Sequence, residues 1–151
     1  TEACGLWGGR HPRGICMYEY RVKKIVKVVD GDTVDIEIDL GFDLTKKERC
    51  RVAGIDTPEC RTRNKVEKQY GKAAALFMKG KLASATNLRV KTEKDGKYGR
   101  MLGYFWCDEY DVSLNQLMID EGYAFPYDGG TKYDFDEHKH LLDERRKSCQ
   151  E

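Results

Sequence analysis

The sequence lacks a long apolar run and an excess of either charge. No segment approaches the roughly 20 consecutive apolar residues that a membrane-spanning helix needs, so we expect no membrane partner. The 27 Lys and Arg residues are balanced by 26 Asp and Glu residues, so the formal net charge of +1 identifies no partner. The amino terminus also lacks the apolar core of a signal peptide, which leaves both an intracellular location and secretion after processing open.

The sequence also lacks the C-x-x-C pair that is typical of structural zinc sites, although it contains 6 cysteines. Near the amino terminus, Cys4, His11 and Cys16 leave three interpretations open: a metal site, one disulfide between the cysteines, or free thiols. Residues 1–16 are rich in glycine and show neither strand nor helix periodicity. We therefore predict a Gly-rich amino-terminal extension over residues 1–16 and one domain over residues 17–151.

Alternation of side chains predicts the strands. Val, Ile and Tyr with interleaved Lys favour a strand over residues 18–29, and strict apolar–acidic alternation favours another over residues 33–40. A third strand is predicted over residues 47–55, before Pro58, which cannot donate to a sheet. Two more strands, at residues 88–93 and 99–107, flank a turn at residues 95–97.

Helical spacing of apolar side chains predicts helices over residues 72–84 and 112–121, the second of them ended by Gly122, and a charged helix over residues 134–147. Three strands, a helix, two strands and two further helices is the element order of an OB-type barrel. The predicted fold class is therefore α+β, a five-stranded OB-fold-like β-barrel with three α-helices.

Polar residues suited to phosphate chemistry lie at the predicted turns and strand ends. Asp32 and Asp56, with a backbone carbonyl and water, have the oxygen chemistry that a calcium ion requires. A carboxylate such as Glu59 positions or deprotonates an attacking water. Arg51 and Arg100 are suited to clamp phosphate, because a guanidinium donates two parallel hydrogen bonds and stays charged.

Each of these features also has a structural interpretation when it is taken alone. Asp-Gly-Asp at residues 30–32 is a common hairpin turn, and Asp-Thr-Pro-Glu at residues 56–59 can simply precede a helix. An arginine in a strand is often solvated or paired with a carboxylate. The occurrence of all the features in one short chain favours a catalytic site.

Five segments, in the same order and with similar gaps, resemble the staphylococcal nuclease-like family. They are VVDGDTV at residues 28–34, RVAGIDTPE at 51–59, VEKQYGKAA at 66–74, KYGRMLGY at 97–104 and LNQLMIDEGYA at 114–124. The resemblance implies a five-stranded OB-like barrel with three helices, calcium (Ca2+) as cofactor, and DNA and RNA as substrates. We further expect a preference for single strands and a monomeric protein.

The resemblance also implies a role for each matching residue. Asp32, Asp56 and the Thr57 carbonyl are similar to the calcium ligands, and Asp30 and Thr33 fall beside them, where they would orient those ligands. Glu59 matches the carboxylate that deprotonates or orients water, and Arg51 and Arg100 match the phosphate-binding arginines. Residues expected to bind the nucleotide are Lys97, Tyr98 and Tyr127, with Tyr133 as a rival to Tyr127.

Two alternatives to a catalytic function remain. A noncatalytic nucleic-acid- or protein-binding OB-fold module would need no such set of site residues, and a structural domain would bind calcium only for stability. One departure from the family pattern is Cys60, which directly follows Glu59, so that its oxidation is expected to inhibit.

Overall fold

The computed structural model describes residues 17–94, 101–127 and 133–150 of the chain. Five strands form a closed barrel in the order β1-β2-β3-β6-β5. They are β1 (Met17–Asp30), β2 (Thr33–Gly41), β3 (Leu44–Val52), β5 (Arg89–Lys94) and β6 (Met101–Trp106). Neighbouring strands are antiparallel except for β3 and β6, which pair in parallel. With the three helices described below, the barrel confirms the predicted α+β, OB-fold-like architecture.

The first strand closes the barrel because it pairs on both sides. Residues 17–21 of β1 pair with β5, and residues 21–30 pair with β2. The pairing with β2 shifts register three times, after Val22, Ile25 and Val28. Such irregularities bend a strand and increase its twist, which lets one long strand curve around the barrel.

Alternation in β2 separates the core from the solvent face, as the sequence predicts. Val34, Ile36 and Ile38 point into the barrel and are buried, while the acidic residues between them are partly exposed. The interior also receives apolar side chains from the other strands, with Phe105 of β6 fully buried. Burial of such side chains supplies the main favourable free energy of folding.

The third predicted strand, over residues 47–55, was only partly right. The structure ends β3 at Val52, and a turn leads into a separate two-residue strand, β4 (Ile55–Asp56), which pairs with β7 (Phe125–Pro126). Gly54 has a φ of +79°, a backbone conformation that breaks the strand and is favourable for glycine. Because of this break, Asp56 is not part of β3 and pairs instead with Phe125 of β7.

The first helix, α1 (Lys65–Ser84), begins seven residues before the predicted start at residue 72. Its amino-terminal cap is Asn64, whose side-chain oxygen accepts the backbone N–H groups of Val66 and Glu67 at 3.1 and 3.2 Å. The early turns are mostly polar, so apolar periodicity did not reveal them. The Asn64 cap stabilises this start of the helix, because its side chain accepts hydrogen bonds from two amides that no helical carbonyl reaches.

Two further helices pack against this framework, namely α2 (Leu114–Asp120) and α3 (Phe135–Gln150). Gly122 follows α2 with a φ of +81°, which agrees with the predicted stop. Arg146 of α3 donates from Nε to the Gly122 carbonyl at 3.0 Å, and its guanidinium lies 4.3 Å from the ring centre of Tyr123.

In the part of the chain that the structure describes, no helix is long and apolar enough to cross a bilayer. The turn predicted at residues 95–97 and the extension 1–16 lie outside the described residues.

Candidate active site

The turn between β1 and β2 meets the end of β3. The Val52 amide donates to the carbonyl of Asp32 at 2.8 Å, and Thr33 pairs with Arg51 in the strand register. Arg51 Nη2 consequently lies 3.7 Å from Asp32 Oδ2, with the two side chains only 12% and 13% exposed. Two residues 19 positions apart are therefore neighbours at one end of the barrel.

The segment after β4 reaches the same carboxylate. The Thr57 amide donates to Asp32 Oδ2 at 3.2 Å, and both Asp56 and Thr57 are buried. A Cβ atom at Gly31 would lie 2.9 Å from Thr57 Cγ2 and 2.9 Å from Ala74 Cβ. Glycine at this position lets the Asp-Gly-Asp turn pack against both the Thr57 segment and α1.

The Asp-Gly-Asp turn and the Thr57 segment each contain a buried side-chain oxygen that accepts or donates no hydrogen bond among the described residues. Asp30 Oδ1 and Thr57 Oγ1 are buried and have no hydrogen-bond partner among the described residues. Together with the nearby carboxylates of Asp32 and Asp56, these atoms make the region rich in oxygen, which matches the chemistry of a hard divalent cation such as calcium. No three Asp, Glu, His or Cys side chains of the described residues form a group that could hold a metal ion. The predicted ligand set is smaller than such a group, since it has two carboxylates completed by a backbone carbonyl and water.

Glu59 is exposed, and α1 holds its backbone from beneath. The Glu59 amide donates to Glu67 Oε2 at 3.1 Å. A Cβ atom at Gly71 would lie 2.6 Å from the Glu59 carbonyl oxygen, so the helix approaches this segment as closely as glycine allows. Glu67 and Gly71 thus set the position of the backbone that carries Glu59.

Arg51 is held on its other side by backbone and aromatic contacts. Its Nη1 donates to the carbonyl of Val52 at 2.8 Å, and its guanidinium carbon lies 5.8 Å from the ring centre of Tyr127. The amide of Tyr127 donates to the Gly54 carbonyl at 2.9 Å. Tyr133, the rival to Tyr127, instead stacks on Phe125 with ring centres 5.0 Å apart.

Three of the sequence-predicted site residues, Lys97, Tyr98 and Arg100, lie outside the described residues, so their roles stay predictions. The first described residue after them, Met101, pairs with Cys50 of β3, and Leu102 pairs with Arg51. The start of β6 therefore lies beside the strand that carries Arg51.

The cysteine beside Glu59 has an environment that opposes its reactivity. Burial and the neighbouring Asp30 carboxylate raise the pKa of the Cys60 thiol to about 11. A thiol reacts with oxidants as its thiolate, so a raised pKa slows the oxidation that the sequence suggested. Among the described cysteines, Cys50, Cys60 and Cys107 are free thiols, while Cys4 and Cys16 lie outside the described residues.

Three supporting residues were missed by sequence reasoning: Glu67, Gly71 and Asn115. The spacing of Asn64 and Glu67 is typical of a helix start and could have indicated the first of them. Asn115 is buried on α2, where it accepts the Phe105 amide at 3.0 Å and donates to the Ala53 carbonyl at 2.7 Å. No local signal marks such a long-range role.

Comparison with known proteins places these residues in a family context. The family model described as "Staphylococcal nuclease homologue" matches residues 49–151, a span that includes Arg51, Asp56 and Glu59. The thermonuclease of Staphylococcus intermedius is 42% identical over 104 residues, covering 66% of this chain and 56% of the relative.

Two other relatives show similar coverage. The thermonuclease of Staphylococcus hyicus is 35% identical over 105 residues, covering 67% of this chain and 56% of the relative. Endonuclease YncB of Bacillus subtilis is 31% identical over 122 residues, covering 74% and 54% respectively. The chain therefore spans a little over half the length of these relatives. Since the family model matches about two thirds of the chain, the protein belongs to the staphylococcal nuclease family.

Proposed function

We propose that the protein is a calcium-dependent nuclease that hydrolyses phosphodiester bonds of DNA and RNA. The proposal rests chiefly on the meeting of three segments at one end of the barrel: the Asp32 carboxylate accepts the Thr57 amide at 3.2 Å and lies 3.7 Å from Arg51 Nη2. Relatives named thermonuclease and endonuclease point to the same chemistry. We expect single strands to be the preferred substrate and the protein to act as a monomer.

The residues at this end fit a calcium ion. Its ligands would be the carboxylates of Asp32 and Asp56 and the carbonyl of Thr57, with Asp30 and Thr33 orienting them. The buried oxygens of Asp30 and Thr57 that lack partners among the described residues support an oxygen-coordinated cation. When bound, the ion would offset the negative charge of the phosphate.

The protein side chains divide the remaining chemistry among them. Glu59 accepts a proton from the attacking water, or orients that water, on the side of the phosphorus opposite the leaving oxygen. The water oxygen bonds to phosphorus as the bond to the 5′-oxygen breaks, and the leaving 5′-oxygen takes up a proton from solvent, so the products are a 3′-phosphate and a 5′-hydroxyl. The Arg51 fork binds the other phosphate oxygens, and Arg100 is proposed to do so from a second side.

The nucleotide next to the scissile phosphate would be held by aromatic and basic side chains. Tyr127 is a candidate because its ring lies beside Arg51, where a base or sugar adjoining the clamped phosphate would fall. Lys97 and Tyr98 complete the proposed pocket on the strength of the family resemblance. Stacking of a base on tyrosine tolerates different bases, which suits a nuclease that accepts both DNA and RNA.

One assay tests the proposal directly. The protein is incubated with single-stranded DNA, duplex DNA and RNA, with calcium or with excess chelator, and both product ends are identified. We expect cleavage that requires calcium, is fastest on single strands and leaves 3′-phosphate ends. Magnesium should replace calcium poorly, because the smaller ion demands tighter octahedral geometry.

Two results would overturn the proposal. Full activity in excess chelator would refute the role of the metal, and near-normal hydrolysis by the Glu59→Gln variant would refute the assignment of Glu59. Oligonucleotide binding without any cleavage would favour the alternative, a noncatalytic nucleic-acid-binding module. An ion that raises the melting temperature but supports neither binding nor cleavage would favour a purely structural calcium site.

A further inference from the structure

Helix α1 carries a row of exposed lysines that plays no part in the site described above. The side chains share an exposed position and a spacing of three, four and seven residues, so that they project within about 60° of one another around the helix. We call this row the lysine stripe; its members are Lys65, Lys68, Lys72 and Lys79. Three of them, Lys65, Lys68 and Lys72, lie within a dozen residues of the chain that also contain Arg61 and Arg63.

The stripe is not neutralised by the described part of the protein. None of its side chains forms a salt bridge or hydrogen bond to a described residue, and the positions three and four residues before and after each lysine hold no carboxylate. Other surface cations do have partners, as Arg49 has Asp35 at 2.8 Å. The nearby carboxylate Glu67 is already used by the Glu59 amide. Lysines at these spacings repel each other, so the row mildly opposes helix formation.

The middle of the stripe lies close to the backbone of Glu59, the proposed catalytic residue. Gly71 packs against the Glu59 carbonyl, and Lys72 projects about a quarter turn around the helix from that contact. Arg61 and Arg63, in the connection between Glu59 and α1, are exposed and form no salt bridge with any described residue. Unpaired positive charge therefore continues from Glu59 along α1 to Lys79.

We propose that the lysine stripe binds the backbone phosphates of the polynucleotide strand that flanks the scissile phosphate. Its charge complements a polyanion, and its length along the helix is about 21 Å, enough to contact several successive phosphates of one strand. Lysine suits this task because a flexible point charge needs no fixed geometry or base sequence. The inference rests on the proposed nuclease function, since it assigns the stripe to the substrate of that site.

The test measures binding separately from cleavage. Affinity for fluorescently labelled single-stranded DNA is measured by anisotropy in calcium buffer over a range of salt concentrations, for the protein and for the Lys65→Gln/Lys68→Gln/Lys72→Gln variant. Loss of three phosphate contacts should lower the slope of log affinity against log salt by about 2 and weaken binding at least about tenfold at low salt. The loss should be larger for an oligonucleotide of about twenty nucleotides than for one of about four, which cannot follow the stripe.

A matched control removes the same charge elsewhere. The Lys23→Gln/Lys24→Gln/Lys47→Gln variant loses three exposed lysines of β1 and β3 that form no salt bridge with a described residue, and it should retain the original salt slope. Equal changes in both variants, or no change in the stripe variant, would overturn the proposal. Binding to anionic lipid vesicles is measured as well, and a stripe variant that loses vesicle binding but keeps its affinity for DNA would also overturn the proposal. Cleavage of DNA is followed in parallel. If the stripe variant binds DNA more weakly but the protein does not cleave DNA, the role of the stripe is supported and the nuclease function is rejected. If the protein cleaves DNA but the stripe variant binds normally, the nuclease function is supported and the role of the stripe is rejected.

Discussion

A Cβ atom at Gly71 would lie 2.6 Å from the carbonyl oxygen of Glu59, whereas one at Gly80 of the same helix would meet nothing within 4 Å. The two glycines therefore separate two effects of the same substitution. At Gly71 the backbone of Glu59 or the helix must move, since neither neighbour is a flexible side chain. At Gly80 only the helix-forming tendency changes.

We expect Gly71→Ala to lower kcat at least about tenfold with a much smaller change in KM, because a displacement of about 1 Å of a catalytic group is enough for such a loss. Gly80→Ala should leave kcat unchanged and raise the free energy of unfolding by about 0.5–1 kcal/mol. Steady-state kinetics and urea unfolding of both variants measure these effects. Equal kinetics in the two variants would show that α1 does not position Glu59.

The sequence predicts the barrel well because its strands alternate. Ile36 and its apolar neighbours lie inward in β2 as the alternation requires, and a short turn joins β2 to β3. The start of α1 was missed because its first turns are polar and depend on the Asn64 cap. The break after β3 was missed because the left-handed backbone at Gly54 cannot be distinguished in the sequence from a glycine within a strand.

For the site, local sequence patterns indicated residue types that suit phosphate chemistry, and the family resemblance indicated the role expected at each position. What they could not predict are contacts between distant segments, such as the Glu59 amide with Glu67 or Asn115 with Ala53. These depend on how helices dock on the barrel, which no spacing along the chain encodes. Supporting residues of this kind were therefore not predictable from the sequence.

The second prediction concerns the fork of Arg51. Arg51→Lys keeps the charge but loses the two-pronged geometry that places Nη1 on the Val52 carbonyl and Nη2 near Asp32. We expect kcat/KM on single-stranded DNA to fall by about 10²–10³ with the fold retained, as for loss of a preorganised donor to a transition state. Arg49→Lys, on the same strand but paired with Asp35 at the surface, is the control and should keep nearly full activity. Similar rates in the two variants would remove Arg51 from the phosphate site.

The third prediction concerns Asn115, which joins α2 to the barrel. Asn115→Ala leaves the buried Phe105 amide and the Ala53 and Gly103 carbonyls without this partner. Unsatisfied buried groups are costly, so we expect a loss of about 3–5 kcal/mol in the free energy of unfolding. Gln116→Ala removes an exposed side-chain hydrogen bond to Asp120 from the same helix and should change it by less than about 0.5 kcal/mol. Urea denaturation measures both, and a loss below about 1 kcal/mol for Asn115→Ala would contradict the bridging role.

The last prediction concerns the close contact of β3 with β6 inside the barrel. A Cβ atom at Gly103 would lie 2.6 Å from Cys50 Sγ and 2.7 Å from Val90 Cγ2, so Gly103→Ala overpacks the core and should lower the free energy of unfolding by about 1–3 kcal/mol. Cys50→Ala removes the Sγ atom and should reduce that loss, although Val90 remains in the way.

The double variant, Gly103→Ala/Cys50→Ala, tests the contact itself. If Cys50 and the added methyl group compete for the same space, the free-energy changes should be non-additive by about 0.5–3 kcal/mol, with the double variant more stable than the sum of the single variants implies. Strict additivity in urea unfolding would show that Val90 alone limits residue 103. Because Arg51 follows Cys50 on β3, the same cycle measured by kcat would show whether core packing reaches the proposed phosphate site.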